Sequence, residues 1–242
     1  MINSTFSNIS RYTARNRFEI LEPMLSKIIQ NNKIELVLDV GVSTGETSVD
    51  LLRILPSNIK LYIADPYSVL YMRKFFIFNI YFDCDSNLKG LDVMGFPIKM
   101  LYKSKILTYF SKLLYYFFKS AKLGFRFKKI FSLNKDVVKL IDEGSMIWFD
   151  FDLFKPSDAG VKFDFIRVMN VLNHELFTRI EFQCAIKNIC DILNPNGFIF
   201  IGRSIKTSPS EFKVSVLQLV DGKLIHYSEL NGGADFKEHI VL

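Results

Sequence analysis

The sequence predicts an α/β protein: a doubly wound, mostly parallel sheet that ends in an antiparallel hairpin. Three observations lead there. Short apolar runs alternate with stretches of helical period, the pattern of strands joined by crossover helices. Gly41 to Gly45 turn one such strand directly into a helix. Near the end, Asp221-Gly222 separates two strand-like runs, and that dipeptide favours a two-residue hairpin turn.

The elements follow in order. Arg15 to about Gln30 carries Phe18, Leu21, Leu25, Ile28 and Ile29 at helical spacing, with Pro23 near a break or first turn. Ile34 to Val40 reads as a buried strand, Glu46 to Leu55 as a helix halted before Pro56, and Lys60 to Ala64 as the second strand. Met146 to Phe151 and Phe163 to Leu172 read as strands, and Glu175 to Leu193 as a long amphipathic helix. A turn at Asn194 to Gly197 leads into the strand Phe198 to Ile201. The hairpin Phe212 to Val220 and Leu224 to Leu230 completes a seven-stranded sheet. Residues 1–242 are therefore expected as one domain, interrupted after the second strand by a cap subdomain over 67–145. A connection that long needs structure of its own. Phe75 to Phe82 and Leu88 to Val93 read as a hairpin within it, followed by a basic amphipathic helix and a short helix over Asp136 to Ile141.

At 242 residues, 49% hydrophobic and 23% charged, the chain is not wholly disordered. Its net charge of +6 is uneven. Val93 to Lys135 holds no Asp or Glu, but it holds Lys99, Lys103, Lys105, Lys112, Lys119, Lys122, Arg126, Lys128, Lys129 and Lys135. The plain reading is a cap helix that solvates its lysines. The sharper readings are peripheral contact with an anionic membrane through 97–129, or a collar for an anionic small-molecule substrate. No nucleic-acid-binding module is recognisable. No apolar run reaches the roughly 20 residues of a spanning helix, and the N-terminus lacks a signal-peptide pattern. Cys84, Cys184 and Cys190 have no metal or redox spacing. They read as reduced, mostly buried thiols of a cytoplasmic protein.

The loop at Gly41 carries the first chemistry. Its glycines let the backbone take positive φ and approach a ligand, and the helix that follows offers N–H groups to negative charge. Asp65 closes the next strand, where an acid can accept from ribose hydroxyls. A dinucleotide G-x-G-x-x-G fits poorly, because Ser43 stands at the second glycine and Gly45 comes too early. Gly41-Val-Ser43-Thr-Gly45 matches a hydrolase G-x-S-x-G elbow literally, but it follows the first strand rather than a later one.

Asp39-Val-Gly41-Val42-Ser43-Thr-Gly45 resembles the first motif of class I S-adenosylmethionine-dependent methyltransferases, with Ser43 for the middle glycine. Asp65-Pro66 resembles their ribose-binding acid and its neighbour, and Phe151-Asp152-Leu153 their adenine-holding segment. Lys162 to Leu172, with Met169 and Asn170, resembles the fourth-strand motif beside the reactive methyl. Leu193 to Ile201 resembles their Leu-x-Pro-Gly-Gly turn into the fifth strand, with Asn196 for one glycine. The order and spacing agree with the family over about 34–65 and 147–203, apart from the insertion. Shorter stretches, including Asn231-Gly-Gly233, resemble uncharacterised bacterial methyltransferase-like proteins, and others the chemotaxis-receptor glutamate methyltransferases.

The resemblance implies a Rossmann-like fold and a methyltransferase that uses S-adenosyl-L-methionine. It implies cofactor contacts at Asp39, Gly41, Val42, Ser43, Gly45, Asp65, Pro66, Asp152, Leu153, Met169 and Asn170, and no metal. Asp39, inside an apolar strand, needs partners, and loop N–H groups are the natural ones. Arg11, Arg15 and Arg17 could pair with the cofactor carboxylate. Asn170 and His174 are the candidate catalytic residues. A carboxylate acceptor would need no base, whereas a hydroxyl would need one. The rival reading is a non-catalytic binding protein that uses the basic insertion as an interaction surface.

Overall fold

The computed structural model describes residues 15–75, 77–85, 88–93, 96–98, 116, 127–157, 160–205 and 208–235. The chain forms two compact units: Thr13–Asp65 with Asn134–Leu242, and Pro66–Leu133 with Met1–Tyr12. The boundary falls after Leu133, so the helix at Lys135–Asp142 counts with the first unit rather than with an insertion reaching 145.

The larger unit is built on seven strands. They are β1 (Leu36–Val40), β2 (Lys60–Ala64), β8 (Met146–Trp148), β9 (Phe163–Met169), β10 (Leu193–Ile205), β11 (Ser208–Val220) and β12 (Lys223–Leu230). Their spatial order is β12-β11-β10-β9-β1-β2-β8. The five strands from β8 across to β10 are parallel, and β11 runs against both its neighbours. This is a Rossmann-like α/β sheet with an antiparallel C-terminal edge, as expected. Its helices are α1 (Glu22–Asn31), α2 (Glu46–Ile54), α3 (Lys135–Asp142) and α4 (Arg179–Asp191).

Alternation along the strands decides what each face buries. Leu38 and Val40 of β1, Ile166 and Val168 of β9, and Ile199 and Ile201 of β10 share one core with Phe182, Ala185, Ile186 and Ile189 of α4. Asp39 and Arg167 lie between these positions, on the opposite face, as direct register partners. Phe200 of β10 is the next register partner of Arg167.

Several boundaries differ from the sequence reading. Pro23 sits in the first turn of α1, and a short 3-10 turn, Glu19–Leu21, precedes it directly. The strand expected to reach Phe151 ends at Trp148. The long helix starts at Arg179, not Glu175, because Thr178 and Glu181 form a reciprocal capping box there. Asn194 to Gly197 is not a turn between elements. It lies within β10 as an irregularity of register between Leu193 and Phe198. Asp221 and Gly222 take positive φ of 50° and 77°, which two-residue hairpins require.

The smaller unit contains a five-stranded antiparallel sheet in the order β6-β5-β4-β3-β7. Its strands are β3 (Val69–Phe75), β4 (Phe78–Phe82), β5 (Leu88–Val93), β6 (Phe96–Ile98) and β7 (Lys128–Phe131). The expected hairpin is the β4–β5 pair. The basic helix expected after the hairpin, like most of the 97–129 stretch read for membrane contact, lies outside the described residues, and Lys128 and Lys129 are exposed on β7. The thiols also differ from expectation. Cys184 is exposed, and Cys84 and Cys190 are partly buried. Burial pushes the Cys190 thiol up to about 11, out of the reactive range. No helix among the described residues is long and apolar enough to cross a membrane.

Replacing Arg167 with Met leaves the Asp39 carboxylate buried without its cation. Urea unfolding should show a loss of about 3–5 kcal/mol, most of it recovered in the Asp39→Leu, Arg167→Met double variant.

Candidate active site

In a parallel sheet, ligands bind at the carboxyl ends of the strands, where the connections diverge to opposite sides. Here that point lies between β1 and β9, since β1 leads to β2 on one side and β9 to β10 on the other. The ends of β1, β2, β8 and β9 bring together Gly41 to Gly45, Asp65, Asp152 and Asn170 along this edge of the sheet.

The glycine loop is held from three sides. Gly41 takes φ 76°, and its N–H donates to Ala64 O at 2.7 Å. A Cβ there would lie 2.1 Å from Val171 Cγ2, so only glycine fits. Ser43 takes φ 55°, a left-handed backbone where the family's glycine would be free. Its N–H donates to Asp65 Oδ2 at 2.9 Å, which offsets that strain. Gly45 takes φ 84° at the N-cap of α2, and a Cβ there would meet Val137 of α3 at 2.9 Å. The third hold is Asn134, which caps α3. Its N–H donates to Thr44 O at 2.9 Å and its side chain to Glu46 Oε1 at 3.0 Å.

Beneath the loop, Asp39 is buried, but its partners are not loop N–H groups. Arg167 Nε and Nη2 donate to its two oxygens at 2.8 and 2.6 Å, and Ser48 Oγ donates at 2.6 Å. Arg167 also donates to Thr47 O at 3.0 Å. The ring of Phe18 lies 5.4 Å from the guanidinium and packs edge-on against Phe212. Asp39 therefore braces the loop, and its carboxylate is fully engaged by these donors. Arg167, which the sequence leaves open as an edge or a salt-bridged residue, is salt-bridged, and it makes a buried Asp39 tolerable.

The other expected contacts divide into two groups. Asp65 is buried at the end of β2, and Asp152 lies partly buried beyond β8. Asp152 accepts from Phe154 N–H at 3.0 Å and pairs with Lys155 at 2.8 Å. Asn170 takes φ 60° and bridges the ends of β9 and β10. Its N–H donates to Gly202 O, and its Oδ1 accepts from Ser204 N–H, both at 2.8 Å. The side chains of Val42, Leu153 and Met169 instead turn into the buried core, which leaves only their main chain for a ligand. Pro66 opens a 3-10 turn, Pro66–Ser68, at the start of the smaller unit. Arg15 pairs with Asp136, and Arg17 donates to Ser204 Oγ at 3.1 Å, so both have protein partners. Arg11 lies outside the described residues. Ser43 Oγ is buried, where a hydrolase nucleophile would be exposed, so the elbow reading fails.

A second cluster occupies the same edge. His174 Nδ1 lies 2.6 Å from Asp235 Oδ2, and the His174 N–H donates to the same oxygen at 3.2 Å. Arg203 pairs with that oxygen at 2.9 Å. Burial pushes the Asp235 carboxyl up, but the His174 donors and Arg203 outweigh it and hold the group below its ordinary range. Asp235 was absent from the sequence reading. Its only signal there was its place after a Gly-Gly turn.

The donor chemistry fits a nucleoside cofactor such as S-adenosylmethionine. A buried carboxylate closes β2, a second follows β8, and the backbone of Gly41 to Gly45 precedes a helix N-terminus. No family model and no curated protein sequence matches the chain. Solved structures do resemble it. An O-methyltransferase family protein from Burkholderia thailandensis is 13% identical at a TM-score of 0.38, over 76% of this chain and 37% of its own. The PH0226 protein of Pyrococcus horikoshii is 14% identical at 0.41, over 99% and 84%. Human N-acetylserotonin methyltransferase, solved with SAM, is 11% identical at 0.38, over 78% and 35%. The chain thus spans little more than a third of the first and third of these proteins. At such identities the case for function rests on the site.

The depressed Asp235 carboxyl predicts a pH effect on stability. Its folded value lies below the ordinary 3.8, so between the two the unfolded chain takes up the proton first and stability falls as pH falls. Thermal unfolding across the acid range should show that loss in the wild type and a shallower one in Asp235→Asn.

Proposed function

We propose that the chain is an S-adenosylmethionine-dependent methyltransferase that transfers a methyl group to a small-molecule or membrane-associated acceptor by in-line displacement. One observation carries the reading: the glycine loop at the switch point of the sheet is clasped by the acid that closes the neighbouring strand, Ser43 N–H to Asp65. When bound, the cofactor supplies an electrophilic methyl group on a sulfonium. The chain supplies position. Asp65 would accept from ribose hydroxyls, since a carboxylate offers several acceptor sites over its two oxygens. Asp152, beyond β8, would hold the adenine, and the backbone of Gly41 to Gly45, at the end of β1 on the other side of β2, would face the rest of the cofactor. Asn170 fixes the ends of β9 and β10, where the acceptor would approach. Such positioning lowers the barrier by making the encounter effectively intramolecular.

A second reading has its own support. The spaces beside Gly41 and Gly45 are taken by Val171 and Val137, and the Asp39 carboxylate is engaged within the protein. Those features suit a methyltransferase fold kept as a non-catalytic binding protein. In either case the basic insertion is proposed as the partner surface, because 93–135 carries cations and no acids.

Calorimetric titration with S-adenosylmethionine should show micromolar binding, at least tenfold weaker in Asp65→Ala. No binding by folded wild type would favour the second reading. Flotation with vesicles containing anionic lipid should carry the protein upward at low salt and release it at high salt. Indifference to lipid charge would sink the membrane contact.

A further inference from the structure

Resting on the methyltransferase reading, we propose that His174 is the general base that takes the proton from a hydroxyl acceptor, with Asp235 as its positioning residue. The imidazole is set rather than loose. Asn173 Oδ1 accepts from the N–H groups of Glu175 and Leu176, each at 3.1 Å, and Asn173 O accepts from Leu176 and Phe177. This tight turn fixes the backbone on either side of His174. The ring's Nδ1 then faces a carboxylate at 2.6 Å. A carboxylate only accepts, so Nδ1 carries a hydrogen, and in the neutral ring the lone pair then sits on Nε2. Asp235 is itself held: its side chain is 9% exposed and paired with Arg203, whereas the His174 side chain is 52% exposed. The outcome is a partly buried carboxylate behind a half-exposed imidazole ring. It lies three residues beyond Val171, which packs against Gly41.

The chemistry names the acceptor class. A carboxylate acceptor would have no proton to give. An ammonium would approach a cluster that already holds one cation, Arg203, on Asp235. A neutral hydroxyl suffers neither obstacle. Its proton passes to Nε2, the O–H electron pair stays on oxygen and forms the new bond to the methyl carbon as the methyl–sulfur bond breaks, the sulfur leaves as a neutral thioether with that bond's electrons, and Asp235 stabilises the imidazolium until water takes the proton. Leu176 and Ile180, which follow in sequence, are 70% and 77% exposed and offer apolar contact. The acceptor class is therefore a phenol or alcohol with an apolar body.

The test uses the full chain with labelled S-adenosylmethionine and a panel of simple phenols and long-chain alcohols. Wild type should methylate panel members with apolar bodies. His174→Gln should lower kcat by about 10²–10³-fold, leave KM and cofactor affinity within about twofold, and abolish the ascending limb of the pH profile. Asp235→Asn should give an intermediate loss. In cofactor-free protein, ¹⁵N spectra should show the Nδ1-protonated tautomer of His174 in wild type and lose that preference in Asp235→Asn. Calorimetry separates the two ways of failing. If no cofactor binds, the methyltransferase reading falls and the base falls with it. If cofactor binds but no panel member is methylated, or His174→Gln keeps the wild-type rate, only this proposal is overturned.

Discussion

The Asp39–Arg167 pair is the constraint around which the larger unit is arranged. The two residues are register partners on β1 and β9, the strands that flank the switch point. Neither charge could be buried alone, since desolvating a single ion costs several kcal/mol. The bidentate geometry, the Ser48 hydroxyl and the Thr47 carbonyl together satisfy the pair. In doing so they tie two strands to the first turn of α2, directly beneath the glycine loop. The Phe18 ring covers the guanidinium, so the segment before α1 has a fixed place as well. A hydrophobic pair at these positions would pack as tightly, but it would not specify which turn of α2 meets which strand.

That rigidity bears directly on the site. The loop takes three left-handed residues within five positions, and one of them is a serine. Such a backbone persists only where its surroundings over-determine it. Here the surroundings are the ion pair below, Asp65 on one side and Asn134 on the other. A loop held in this way needs little reorganisation to receive a ligand.

Much of this was legible in the sequence. Strand and helix placement followed from apolar period, and the hairpin from Asp221-Gly222. The ends of the apolar strands, where the sequence sets Gly41, Gly45, Asp65 and Asn170, do fall along one edge of the sheet. Asn170 and Asn196 stand at positive φ, which asparagine tolerates better than most residues. What was not legible depended on partners far apart in the chain. Arg167 and Asp39 are each odd in an apolar strand, but only the register shows that they answer each other. His174 and Asp235 are 61 residues apart, and nothing local joins them. The start of α4 was misplaced because helical spacing extends back through the Asn173 turn, and the true start is set by a capping box whose geometry is three-dimensional. Val42, Leu153 and Met169 show the same limit: a motif names positions, but the pleat decides whether a side chain faces ligand or core.

The two points where the chain leaves and rejoins the larger unit have a property of their own. Asp65, the last residue before the excursion, holds Ser43; Asn134, the first after it, holds Thr44 and Glu46. Both ends of the excursion are thus fastened to one loop by bonds that involve none of the residues between them. Closing a longer or shorter segment across fixed ends changes the folding free energy only slowly with length. A change in the length of residues 66–133 would therefore cost little in closure entropy at a junction whose two ends already carry these bonds.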